Sequence, residues 1–343
     1  MKYFLAISYL SFFLILTLKA QTNVSGGIYN DATWTLSNSP YIVIDTVVVF
    51  PHVTLTIEPG VEVRFEDNKR LEVRQATLIA AGTNEDSIIF TSNSATPYPG
   101  IWGEIFLNGG TVSDMFEFSH CRFSYANMGF HLGGPISSQN FINNCSFTNN
   151  LTGISSCCNT TTIDSCIFLG NAIGISSLGY TRLRHSLFMF NDKGVENCAA
   201  DTFENCTFRF NHYGLHGVGL HVGINNCIIS NNQIGFENEI QGQNYTTIQN
   251  SFIDSNSIAG IDFTIGATIT NCHISYNQTG IIDSIQSSIF GISTINNNVI
   301  ENNVTGIKLN SSRHNILCNK ICNNSSYNLY YNVLFGSTSV LTF

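Results

Sequence analysis

The sequence predicts an all-β chain in which three short strands per turn wind one turn upon the next. Three observations predict it. Charged residues make up only 11% of the chain, apolar residues recur at intervals of about 22, and the same asparagine, cysteine, phenylalanine and glycine positions return within each interval. An ordinary soluble domain carries ~25% charged residues, so a chain this poor in charge must bury its apolar residues regularly.

At the start, Lys2, the apolar run from Tyr3 to Leu18, and then Lys19, Ala20 and Gln21 read as a secretory signal cleaved after Ala20. No second run of ~18 apolar residues follows, so no membrane span is expected after cleavage. The mature chain is then secreted or held at the cell surface. It reads as one continuous domain over 21–343, with capping and first coils in 21–117 and repeat coils with a C-terminal cap in 118–343.

In the first part, "VTLTIEPGVEVRF" (53–65), "LEVRQATLIAAGTNEDSIIFTS" (71–92) and "GIWGEIFL" (100–107) alternate apolar and polar residues around Gly and Pro, giving about three coils. From there the repeat is explicit. One apolar column runs Phe118, Ile142, Ile163, Leu183, Phe203, Ile224, Ile248, Ile269, Ile295 and Leu317. A second, three residues on, holds Cys121, Cys145, Cys166, Ser186, Cys206, Cys227, Ser251, Cys272, Asn298 and Lys320. A third, two further on, holds Phe123, Phe147, Phe168, Phe188, Phe208, Ile229, Ile253, Ile274, Ile300 and Cys322. Such period-two alternation is a strand pattern. Asparagine precedes the second column in seven of ten repeats, as at Asn144 and Asn205, and asparagine tolerates the left-handed backbone of a sharp bend.

Five residues after the second column another asparagine recurs from Asn150 to Asn303, followed by a glycine and an apolar residue, as in Gly194-Val195 and Gly214-Leu215. Three strands per turn bury these columns only if successive turns stack as parallel sheets ~4.8 Å apart. Stacked asparagines then hydrogen-bond along the column.

The pattern "I-x-N-C-x-F" followed by "N-x-x-G-I" over residues 118–335 resembles the repeat of the pectate-lyase-like and NosD-like families. The resemblance implies a single-stranded right-handed parallel β-helix, here of about 13 coils with about 22 residues each. "TWTLSNSPYIV" and the segments after it resemble the capping coils of β-helix proteins exported by Bacteroidetes.

Six of the eleven cysteines share one column. Neighbours there stand ~4.8 Å apart, wider than the ~3.8 Å between Cβ atoms in a disulfide, so free thiols packed as small hydrophobes are expected. No CxxC metal spacing occurs, and no cofactor is expected.

The chain carries 14 basic and 23 acidic residues, net −9, which removes the electrostatic basis for binding nucleic acid. Polysaccharides and surface glycans remain as partners. If the apolar residue after each glycine points inward, the next residue forms an outward column: His131, Ser155, Ser176, Glu196, His216, Glu237, Asp262, Ile282 and Lys308. Glu196, His216, Glu237 and Asp262 fall on four consecutive coils and are the candidate catalytic set. Carboxylates two coils apart lie ~9.6 Å apart by backbone spacing, near the range an inverting glycosidase needs. The competing reading is a solvated surface. The N-x-D and D-D aspartates of polygalacturonase-like enzymes are missing, and the basic residue expected of pectate-lyase-like enzymes has only Lys308 to supply it.

Glu237 and Asp262 would also suit calcium, although like charges tolerated in water explain the pair better. His212, His216 and His221 lack a spacing that would converge on copper. A further outward column, Arg122, Ser146, Ile167, Leu187, Thr207, Ile228, Phe252, His273, Val299 and Ile321, offers an apolar stripe for a protein partner or self-association. Two function classes follow. The first is a non-catalytic exported β-helix for surface structure, adhesion or glycan binding, favoured because no complete catalytic set of a known family is present. The second is a polysaccharide hydrolase or lyase acting through the four-residue column.

Overall fold

Two corners turn the chain in every coil, and each falls on a residue with a left-handed backbone. Asn144, Asn205, Asn226, Asn250, Asn271 and Asn297 take the first corner with φ between 52° and 56°. Asn149, Gly170, Phe190, Phe210 and Asn231 take the second, with φ between 55° and 67°. The computed structural model describes residues 21–108, 115–134, 140–156, 161–176, 179–197, 201–217, 219, 221–238, 246–264, 266–284, 293–310, 313–331 and 340–342. The expected signal segment and Cys157, Cys158 and Cys198 lie outside the described residues.

Between corners run three short strands, exemplified by Thr202–Glu204, Thr207–Arg209 and Tyr213–His216. Each pairs in parallel with its equivalent in the next coil, through Phe203↔Ile224, Phe208↔Ile229 and Leu215↔Phe236. The first strands stack into a 14-stranded sheet, and the second and third strands form the remaining 26-stranded network. The result is an all-β parallel solenoid of about 12 turns with about 22 residues per turn. Among the described residues no helix is long and apolar enough to cross a membrane.

The predicted columns are the lining of this cylinder. Phe123, Phe147, Phe168, Phe188 and Phe208 stack face to face with centroids 4.6 to 5.1 Å apart. Ile229, Ile253, Ile274 and Ile300 continue the column, all fully buried. Beside it the asparagines form an unbroken ladder from Asn150 to Asn324, in which each Nδ2 donates to the next Oδ1 at 2.8 to 3.1 Å. Each Oδ1 also accepts the backbone N–H of the preceding ladder residue, as Asn211 does from Asn191 at 3.0 Å. The glycine of the third strand is required by close approach: a Cβ on Gly194 would lie 2.5 Å from the Gly214 carbonyl oxygen.

One stretch departs from the expected register. In the last full coil Ile295 pairs with Ile316 rather than Leu317, and Ile300 pairs with Ile321 rather than Cys322. Cys318 therefore takes the corner at φ 55°, and Asn319, not Lys320, continues the cysteine column by accepting from Asn298 at 2.9 Å. Ile321 accordingly turns inward, and Lys320 ends the outer apolar column.

That outer column is exposed at Ile167, Ile228 and Phe252 but is interrupted by Thr207. The cysteine column consists of free, buried thiols, as expected. Burial pushes the Cys145 and Cys166 thiols well up and that of Cys272 to about 11. Because all six column cysteines are at most 2% exposed, iodoacetamide on the folded protein at neutral pH will label exposed Cys318 and spare all six, including Cys206, whose thiol pKa is lowered chiefly by its hydrogen bond with Cys227; the six become reactive only in denaturant. Peptide mapping by mass spectrometry checks this; rapid native labelling of Cys145 would contradict the packing.

Candidate functional site

The third strand carries two buried residues in succession, glycine then an apolar side chain, so its outward positions lie three apart instead of two. In Lys193–Glu196 the inward pair is Gly194 and Val195, leaving Lys193 and Glu196 outside; in Tyr213–His216 it is Gly214 and Leu215, leaving Tyr213 and His216. Two outward columns therefore run side by side. One is the predicted column, with Ser155↔Ser176, Ser176↔Glu196, Glu196↔His216, Glu237↔Asp262, Asp262↔Ile282 and Ile282↔Lys308 in register. The other, not anticipated from sequence, contains Ile173, Lys193, Tyr213 and Ile234.

His216 stands between the carboxylates of the coils on either side. Its Nδ1 is 3.8 Å from Glu196 Oε1 and its Nε2 is 3.4 Å from Glu237 Oε2. Lys193 forms an ion pair with the same Glu196 oxygen. The Tyr213 ring packs edge-on against the imidazole, with centroids 4.5 Å apart. Asp262 extends the row one coil past Glu237, its backbone in register with it. The side chains of Glu196, His216 and Glu237 are only 14 to 15% exposed. The cluster is thus set into the face, unlike the plainly solvated row that an outer strand would give.

The four sequence candidates occupy adjacent coils, and the structure adds Lys193 and Tyr213 to them. At the far end of the same column, His131 Nδ1 lies 2.8 Å from Glu104 Oε2, and Arg70 contacts Glu104 at 3.4 Å and Glu72 at 2.8 Å. The Glu72 carboxyl is held below the usual range, chiefly by the hydrogen bond it accepts from Arg74 Nε at 2.5 Å. These pairs tie the first coils together. Ser155 and Ser176 separate them from the acidic cluster with two small polar side chains.

The aromatic residues at the second corner add a further feature. Phe190 and Phe210 stack at 5.3 Å and are 58% and 46% exposed, three residues before Lys193 and Tyr213 respectively. A bulky residue held at positive φ is strained, and neighbouring coils use asparagine or glycine there. His212, which sequence grouped with His216 and His221, instead binds Asp192 at 2.9 Å. Among the described residues no group of three His, Cys, Asp or Glu side chains is arranged to hold a metal ion.

Chemically, this arrangement offers two carboxyl groups on either side of an imidazole, with an ammonium and a phenol beside them. These groups can exchange protons with a bound substrate, and their partial burial strengthens their mutual electrostatics.

Comparison with known proteins places the scaffold. Residues 194–326 match the family model of a right-handed β-helix region, and residues 26–128 match a pectate-lyase-like β-helix domain. No curated protein matches the chain. Among solved structures, a double mutant of the periplasmic alginate epimerase AlgG is similar at 11% identity with a TM-score of 0.50, over 86% of this chain and 77% of that one. The A-module of a mannuronan C-5 epimerase from Azotobacter vinelandii is similar at 12% identity and TM-score 0.44, over 94% and 87% of the two chains. The surface adhesin PfbA of Streptococcus pneumoniae gives 12% identity and TM-score 0.32, over 80% and 83%.

Proposed function

Because the chain is a right-handed parallel β-helix with pectate-lyase-like opening coils, its chemistry lies on outer strand faces, and we propose that it cleaves a polysaccharide at Glu196, His216, Glu237 and Asp262. The observation that carries this reading is the inset imidazole flanked on its two nitrogens by carboxylates from the adjacent coils. In hydrolysis one carboxyl protonates the glycosidic oxygen while another activates water across the sugar ring. Glu196 and Glu237 divide these roles, and His216 orients the proton between them. Phe190, Phe210 and Tyr213 give sugar rings apolar faces to lie against at the edge of the same site. AlgG, by its name an epimerase of alginate, supports the reading to the extent that it places polysaccharide chemistry on a similar scaffold.

Residues Lys193, Tyr213 and His216 favour a second reading, β-elimination on a uronate. There Lys193 would face the sugar carboxylate, Tyr213 or His216 would take the proton from C5, and the C4–O bond would break to leave a C4=C5 double bond, the departing oxygen taking a proton from Glu196 or Glu237. The non-catalytic reading, which the lack of a known catalytic set favoured, fits the inset cluster less well, since an adhesive face has no need to sink a histidine between two acids.

The test is a screen of the purified protein against neutral and uronic polysaccharides, followed by new reducing ends and by the ultraviolet absorbance of unsaturated products. Reducing ends without that absorbance mean hydrolysis; both together mean elimination. Glu237→Gln and His216→Gln should each lower turnover by roughly 100-fold or more, the usual weight of a general acid or base. Binding without products, or full turnover by Glu237→Gln, would return the protein to the adhesive class.

A further inference from the structure

The first-strand sheet carries a feature that the third-strand site does not explain. A concavity of about 320 Å³ opens on its outer face across four coils. Its walls belong to two columns in register. One runs Arg182, Thr202, Gly223 and Thr247; the other runs Arg184, Glu204, Asn225 and Gln249. The hollow exists because Gly223 stands where the adjacent coils carry threonine. Nothing in the backbone demands glycine there: a Cβ would meet no atom closer than Thr202 Cγ2, at 3.7 Å. Gly223 has no positive φ to accommodate either, unlike Gly170 and Gly217. A glycine in mid-strand, without a steric or conformational cause, loses stability relative to a β-branched residue.

Charge is distributed unevenly around the hollow. Arg184 Nε is held by Glu204 at 3.4 Å. Among the described residues Arg182 has no ion-pair partner, although the protein as a whole is acidic by nine charges. The opposite side offers the side-chain amides of Asn225 and Gln249: Asn225 Oδ1 already accepts from Asn250 Nδ2 at 2.8 Å, which leaves its amide donors, while Gln249 presents donors and an acceptor. A guanidinium without an ion-pair partner at one end and planar amides two and three coils further on, ~10 to 14 Å along the axis, over a floor left flat by a missing side chain, match a short chain of pyranoses in which a ring at the Arg182 end bears a carboxylate. The guanidinium takes the carboxylate, the amides take ring hydroxyls, and the flat strand surface at Gly223 takes the apolar ring face. Four coils span ~14 Å along the axis, enough for two or three linked sugar rings.

We propose that this hollow is a second, non-catalytic glycan site that binds a uronate-containing oligosaccharide through Arg182, Asn225 and Gln249. It lies on a different face from the Glu196–Asp262 column, and the inference does not rest on that column being catalytic.

Isothermal titration with β-linked tetraglucuronate and with cellotetraose, its neutral counterpart, tests it. The wild-type protein should bind tetraglucuronate, and cellotetraose should bind roughly tenfold or more weakly, the weight of one charge-assisted contact. Arg182→Gln should lose a similar factor for tetraglucuronate. Gly223→Ile should abolish this binding while its melting temperature stays equal to or above wild type, which separates a filled hollow from a misfolded chain. Neither variant should change turnover at the third-strand face if turnover is found there. The inference is overturned if wild type does not bind tetraglucuronate, if cellotetraose binds as tightly, or if either variant binds with wild-type affinity.

Discussion

Replacing Asn211 with leucine will destabilise the solenoid by about 3 kcal/mol or more, because it strands several buried polar groups at once. Asn211 Oδ1 accepts from the Asn191 backbone N–H and from Asn191 Nδ2, both at 3.0 Å. Its own Nδ2 donates to the Phe188 carbonyl at 3.1 Å and to Asn232 Oδ1 at 3.0 Å. Leucine has almost the same shape and none of these groups. Two donors on Asn191 then lose their acceptor, and two oxygens lose a donor, all beyond the reach of water. Urea unfolding followed by circular dichroism measures the loss. Hydrogen exchange at the backbone amides of Asn191 and its neighbours should rise first, since each coil contacts only the coils beside it. Asn205 gives the control: it is a half-buried corner residue whose side-chain bonds, to Asn226 and His185, are open to water, so Asn205→Gly should cost only about 1 kcal/mol or less. Equal losses at the two positions would show that the ladder contributes no more than the corner.

The same ladder explains why so much of the fold was legible in the sequence. A coil that stacks on its copy must repeat whatever it buries, so the columns at Phe168, Asn171 and Cys166 recur at the period of the turn and expose themselves to simple alignment. Where repetition weakens, legibility fails. In "HNILCNKIC" Ile316 or Leu317, Asn319 or Lys320, and Ile321 or Cys322 can fill the three columns in two registers one residue apart, and the decision rests on Asn319 Oδ1 accepting from Asn298. Lys193 and Tyr213 escaped for a different reason: close approach at Gly194 and Gly214 buries two successive residues, breaking the period-two alternation that outward positions were read from. The Glu196, His216, Glu237 and Asp262 column was legible because its register follows from the apolar residue beside it. Its degree of burial was not, because that depends on neighbouring side chains instead of the repeat. The Gly223 hollow left a sequence signal, a lone glycine among threonines at one outward position, but an isolated glycine in a glycine-rich chain does not stand out.

The least repetitive feature of the core yields the other large effect. Asp283 sits at an inward position whose neighbours along the column are Phe263 and Leu309, and its Oδ2 meets His314 Nε2 at 2.8 Å with both side chains wholly buried. Phe263 packs edge-on to the imidazole, with centroids 6.1 Å apart. No periodic signal announces such a pair, since the two residues are 31 apart in sequence and each replaces an otherwise apolar or small residue. Burial of polar partners costs desolvation that is recovered only while both are present. Asp283→Leu alone should therefore lower stability by about 3 kcal/mol or more, because the imidazole keeps its desolvation cost and loses the Asp283 carboxyl. Asp283→Leu combined with His314→Leu should be more stable than Asp283→Leu alone, since two apolar side chains in a cylinder already lined by Phe263 and Leu309 remove the imidazole that the single substitution strands. A double-mutant cycle from urea midpoints measures the coupling, expected at roughly 1 to 3 kcal/mol for residues in contact. Strict additivity of the two substitutions would mean that the hydrogen bond contributes nothing beyond the separate packing of its partners.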